Sequence, residues 1–149
     1  MHGAGCSDVS FRSATTDDVD WLVDLRVRTM GPHLEAAGEV VSAGEQRARV
    51  IHDFGCIRIV SSRAERIGMV KVVKTPGQWR LVQIQLVPEQ QGNGIGGRIV
   101  AELLRDARHE NIPVLLSVLK VNPARRLYGR LGFNVVGETE RSFVMRADP

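Results

Sequence analysis

"LVPEQQGNGIGGRIVAELL", residues 86–104, decides how the chain is read. It opens as the tail of a strand-like run, passes four glycines between Gly92 and Gly97, and closes with helical periodicity. Ile95, Ile99, Val100, Leu103, Leu104 and Ala107 fall on one helical face, with Arg98, Glu102, Arg105 and Asp106 opposite. Glycine is entropically costly in a packed domain, so such a cluster needs a reason. A strand, a glycine turn and a helix start aim several unpaired N–H groups at one point, which suits an anion such as a pyrophosphate. Arg98, in the first helical turn, adds a candidate phosphate contact. The plainer alternative is a simple turn at Gly92 and Gly94, with Gly96 and Gly97 packed under a sheet.

Two nucleotide motifs share this spacing and fail on their partner residues. Gly92, Gly94 and Gly97 spell G-x-G-x-x-G, but the dinucleotide fold also needs an acid about 20 residues on. That region reads "VLLSVLK" and has none. Gly92 and Gly97 also match the outer spacing of a Walker A loop, yet Arg98-Ile99 stands where Lys-Ser/Thr is required.

Working outward, "VSFRS" alternates as a strand over Val9–Ser13, and Thr15 or Thr16 caps a helix expected over Asp17–Met30. "GPHLEAAGEVVSAG" is broken by Gly31-Pro32, Gly38 and Gly44 and reads as an irregular connection. Ser42 and Glu45 have capping-box spacing for a second helix over Ala43–Phe54. Three runs rich in valine and isoleucine, "IRIVSS", "RIGMVKVVKT" and "WRLVQIQLV", form an expected antiparallel meander. After the glycine helix, "VLLSVL" is a buried strand and "NPARRLYGRLGF" a short helix with proline at its start and glycine at its end. "FNVVGE" and "SFVMRA" close the chain as strands. The order βααβββαβαββ predicts an α/β (α+β) domain, with a mixed, mostly antiparallel sheet of about seven strands and helices on both faces.

The 149 residues suit one domain over 1–149. No apolar run approaches a membrane span. "MHGAGCSDVS" lacks the build of a signal peptide, so a cytoplasmic location is the expectation. Cys6 and Cys56, with His2, His33, His52 and His109, show no metal-ligand spacing, so no metal is expected. Both cysteines read as free thiols. The net charge of +3 and pI near 9.3 suit an anionic ligand. Scattered arginines and a single tyrosine argue against a nucleic-acid surface.

The 86–104 stretch does not stand alone. With "LSVLKVNPARRLYGRLGF", residues 116–133, it resembles the GNAT superfamily of acetyl-CoA-dependent N-acyltransferases. Gln91, Gly94 and Gly96 match the Q/R-x-x-G-x-G/A pyrophosphate loop. Asn122, Leu127-Tyr128 and Gly132-Phe133 match the Asn, Leu-Tyr, Gly-Phe signature. The resemblance covers about residues 79–137 in motif and the whole chain in element order.

This resemblance implies acetyl-CoA as co-substrate and direct acetyl transfer to a primary amine of a small molecule or peptide, with no acyl-enzyme. It implies that the strand over Trp79–Val87 diverges from the strand over Val114–Leu119, with pantetheine lying along exposed backbone. Leu86 and Val87 would offer main-chain groups to pantetheine and to the thioester carbonyl. Gln91, Gly92, Asn93, Gly94, Ile95, Gly96, Gly97 and Arg98 would hold the pyrophosphate, and Asn122 the pantetheine or the strand-to-helix turn. Tyr128 is the implied general acid for the departing thiolate, and also a coenzyme contact. Gln83 and Gln85 stand on the strand where some relatives carry a glutamate, so the base is sought at His33 or Glu35, or in a water chain. Residues 15–56 and the hairpin around Glu138–Ser142 would line the acceptor side. An acyl-CoA-binding sensor with little catalysis is the alternative, and a homodimer is left open because relatives are often dimers.

Overall fold

The computed structural model describes residues 9–36 and 42–149, without the side chains of residues 30–36. Seven strands lie in one mixed sheet in the order β1-β2-β3-β4-β5-β7-β6: β1 (Val9–Ser13), β2 (Ile57–Ser62), β3 (Glu65–Lys74), β4 (Trp79–Leu86), β5 (Val114–Leu119), β6 (Asn134–Glu138) and β7 (Ser142–Ala147). The helices are α1 (Val19–Ala36), α2 (Ala43–Ile51), α3 (Ile95–His109) and α4 (Ala124–Leu131). The element order is the expected one. The chain packs as two compact units, Met1–Lys71 with Gln83–Ile95, and Val72–Val82 with Gly96–Pro149.

In the first unit β1 pairs antiparallel with β2, and β2 with β3. The hairpin between β2 and β3 turns on Arg63 and Ala64, whose φ angles of 52° and 68° give the doubly left-handed turn that matches strand twist. A 3-10 turn over Thr16–Asp18 leads into α1, which buries Leu22 and Leu25. The two largest boundary differences from the sequence reading are at helix ends. Helix α1 does not stop at Met30 but runs through Gly31-Pro32 to Ala36, so "GPHLEA" is helical rather than an irregular connection. Pro32 lacks the N–H that would reach the carbonyl of Arg28, one lost bond in a helix of 18 residues. Helix α2 stops at Ile51 instead of Phe54. Its start is as expected, with the Glu45 N–H donating to Ser42 Oγ at 3.1 Å. At its end the buried Lys71 ammonium donates to the carbonyls of His52 and Arg49, which satisfies groups the helix leaves unpaired.

In the second unit β4 and β5 pair parallel, from Trp79↔Val114 to Leu81↔Leu116, with α3 in the crossover. The pairing covers three rungs, although both strands run on. Antiparallel β7 pairs with β5 over six residues and with β6 beyond it. The apolar stripe of α3 is buried at Ile99, Val100, Leu104 and Ala107, with Val114, Phe133 and Met145 buried in the same unit. Cys56 is a free thiol, while Cys6 lies outside the described residues. Among the described residues no helix is long and apolar enough to cross a membrane, and no His, Cys, Asp and Glu cluster fits a metal ion.

Candidate functional site

The glycine loop is built in three steps. A 3-10 turn over Pro88–Gln90 lifts the chain off β4, Gln91 is extended, and Gly92 and Gly94 take φ angles of 81° and 78° before α3 begins at Ile95. Those angles are left-handed and favour glycine. An added Cβ at either position would meet nothing within 4 Å. The glycines therefore satisfy the backbone and leave open space beside it at the N-terminus of a 15-residue helix. Gly97 differs. A Cβ there would lie 3.3 Å from Leu127 Cδ1, so its bare backbone is explained by the approach of α4. Arg98 is exposed and sits 3.8 Å from Glu102, a weak i,i+4 pair that leaves its guanidinium available.

Gln91 folds back so that its Nε2 donates to the Leu86 carbonyl at 3.0 Å, tying the loop to the end of β4. The Val87 N–H donates to the Ile67 carbonyl at 2.9 Å. Of the two main-chain donors expected at the strand end, Val87 is thus already used. Successive N–H groups along an extended strand point to opposite edges. The Leu86 amide therefore faces away from β3, on the edge to which Gln91 is tied. The Arg28 guanidinium meets Glu89 at 2.7 Å, which links α1 to the same loop.

In the second unit the Asn122 side-chain oxygen accepts from the Ala124 N–H at 2.9 Å, an Asx turn that starts α4. The helix ends at Gly132, with φ 112°, where the Gly132 N–H donates to Gly129 and the Phe133 N–H to the Tyr128 carbonyl at 3.0 Å. This is a Schellman cap, whose usual apolar contact joins the residue after the cap to one five back. Here that contact is aromatic, with the Phe133 and Tyr128 rings edge to face and centroids 5.8 Å apart. The Gly-Phe pair thus holds the Tyr128 ring. Burial raises the Tyr128 pKa above the usual phenol value, so the hydroxyl stays protonated at neutral pH. Arg125 stacks on the Phe143 ring at 4.8 Å.

His33 and Glu35 lie on the last turns of α1, and their side chains fall outside the described residues. On β4, Gln85 is buried and its Nε2 has no hydrogen-bond partner among the described residues. Another feature was missed in sequence. Asp18, 1 % exposed, accepts both Nη atoms of Arg12 at 2.7 and 2.8 Å and Nη1 of Arg66 at 3.2 Å. The Arg12 hydrogen bonds hold its carboxyl far below the usual range. The sole sequence signal was an acid in the first helical turn.

A family model described as "FR47-like protein" matches residues 60–142. No curated protein matches the chain. Among solved structures, the PaiA N-acetyltransferase of Thermoplasma acidophilum, in complex with coenzyme A, is 14 % identical with a TM-score of 0.73. That match covers 95 % of this chain and 99 % of the other. A GNAT-family acetyltransferase from Bacillus anthracis is 11 % identical with a TM-score of 0.74, over 95 % of each chain. A putative acetyltransferase of the GNAT family from Desulfovibrio desulfuricans is 20 % identical with a TM-score of 0.70, over 94 % of this chain and 98 % of that one. At these identities the likeness is one of fold.

Proposed function

The chain belongs to the FR47-like family within the GNAT superfamily, and we propose that it moves the acetyl group of acetyl-CoA directly onto a primary amine of a small molecule or peptide. The observation that carries the reading is the open space beside left-handed Gly92 and Gly94 at the start of α3. A diphosphate can approach bare N–H groups there, favoured by the positive end of the helix. Residues Gln91 to Gly96 form this cradle, and Arg98 adds a charge. The coenzyme supplies an activated thioester. Under this reading residues 1–149 act as one acetyltransferase domain, with the acceptor side in 15–56 and the coenzyme side in 79–137.

The residue roles follow from chemistry each can perform. The Leu86 N–H is the main-chain donor left at the end of β4, and it stabilises the oxyanion formed when the amine attacks the thioester carbonyl. Tyr128, kept protonated by burial, gives its proton to the departing thiolate. His33 or Glu35 is assigned to take the proton of the attacking amine. Histidine has a suitable pKa for that step.

The first test is thermal unfolding with acetyl-CoA, with NAD and ATP as controls. Ligand at 100 times its dissociation constant adds about 2.7 kcal/mol, a rise of several degrees for this size. A rise with acetyl-CoA alone is expected, and none at millimolar coenzyme would overturn the reading. Amine-dependent thiol release is then compared between wild type and Tyr128→Phe. The variant should keep coenzyme affinity and lose about 100-fold in turnover, as loss of a general acid does. Coenzyme binding without turnover in either protein would favour a sensor, the reading to which the two glutamines on β4 lend some support.

A further inference from the structure

The first unit contains an open cavity of about 640 Å³ lined by Ser10, Arg12, Trp21, Ser61, Ala64, Glu65 and Arg66. Its size falls within the range of small-molecule sites. The strand register explains the lining. Ser10 pairs with Ser61, and Ser61 with Arg66, so these three form one row across β1, β2 and β3. Arg12 lies two residues along β1 from Ser10 and so on the same face. Trp21 comes from α1.

Asp18 sets the two arginines in place. It is buried, while both guanidiniums that bind it are partly exposed. Arg66 is held twice, by one nitrogen on Asp18 and by its guanidinium carbon 5.1 Å from the centre of the Trp21 ring. Its other two nitrogens make no hydrogen bond among the described residues. Two guanidiniums against one buried carboxylate leave a net positive charge at the floor, beside two hydroxyl donors. Glu65 lines the cavity too and opposes a large or multiply charged anion.

We propose that this cavity is a binding site for a compact oxyanion, a carboxylate or a phosphate, held by the free guanidinium nitrogens of Arg66, by the positive charge of Arg12 and by the Ser10 and Ser61 hydroxyls. Guanidinium forks match the geometry of both oxyanions. The acetyl-transfer reading gives no role to Ser10, Arg12, Ser61 or Arg66, the four residues that would hold the oxyanion, so the site stands independently of that reading.

The test is amide NMR on the full chain saturated with acetyl-CoA, titrated with sodium phosphate or sodium acetate against sodium chloride at matched ionic strength. Saturable shifts confined to the amides of residues 9–13 and 58–66 and to the Trp21 indole are expected with one or both oxyanions. Phosphate alone or acetate alone would name the source. Arg66→Gln, which keeps the Arg12 pair on Asp18, should weaken binding about tenfold or more, the loss expected for a charge-assisted hydrogen bond. Ser61→Ala should weaken it less, and Arg125→Gln should not change it. Shifts that fail to saturate, that match chloride, or that survive Arg66→Gln unchanged would overturn the proposal. Should Arg66→Gln disturb the fold, Ser61→Ala decides by the same criterion.

Discussion

Gly68 and Gly94 both belong to the first unit, and their surroundings are opposite. A Cβ on Gly68, within β3, would lie 2.4 Å from the Gln85 carbonyl and 2.6 Å from Leu86 Cδ2. A Cβ on Gly94 would meet nothing within 4 Å, yet its φ of 78° disfavours any side chain. Gly68 is accounted for entirely by the protein around it. Gly94 is accounted for by its backbone angle alone, and the space next to it remains. A glycine that packing explains reports on stability, whereas one that leaves room at a helix start is where the proposed coenzyme would approach. Gly97, against Leu127, sides with Gly68 despite lying within the loop motif.

Substitutions can break this contrast, and the largest effect is expected at Gly68. Gly68→Ala forces a backbone carbonyl to shift and should cost about 3 kcal/mol in urea unfolding. A loss below about 0.5 kcal/mol, the level of an ordinary surface change, would mean that β3 and β4 are not so closely apposed.

Asp18 tests the same idea with charge, since it too is fully occupied by protein partners. Asp18→Asn should cost about 2 kcal/mol at neutral pH through its charge-assisted hydrogen bonds. The sign of its pH dependence follows from a folded-state pKa lowered by Arg12. Its stabilisation is present above the unfolded carboxyl value of about 3.9 and is lost as pH falls below it. Wild-type and Asp18→Asn stability curves should therefore converge on acidification, and parallel curves down to low pH would remove the role given to the pair.

Gly94→Ala is the smallest stability change and the sharpest functional one. The left-handed angle should cost about 1 kcal/mol in unfolding. The thermal shift produced by acetyl-CoA should fall by more than the lost stability accounts for. An unchanged shift would return Gly94 to the class of Gly68.

The features legible in sequence are those written in local pattern. The α3 stripe, the Ser42 cap and the glycine turn each depend on residues a few positions apart, and each stands where expected. Helix α1 was cut short because Gly31-Pro32 is a strong local stop, yet the helix continues to Ala36 past one missing hydrogen bond. The choice between Leu86 and Val87 as donor was illegible for another reason. Which edge a strand N–H faces depends on pairing with β3, here fixed by Val87 donating to Ile67. Likewise Asp18 is an ordinary first-turn acid until strand register delivers Arg66, 48 residues away.

The contact between Gly97 and Leu127 makes position 97 a spacer gauge. Leu127 precedes Tyr128 on α4, and its side chain comes within 3.3 Å of where a Cβ on Gly97 would stand. A Cβ added at 97 would make the Leu127 side chain, next to the phenol in sequence, give way by some tenths of an ångström. Under the proposed mechanism a shift of that order matters to a proton donor, so Gly97 bears on the placement of the residue assigned as the acid.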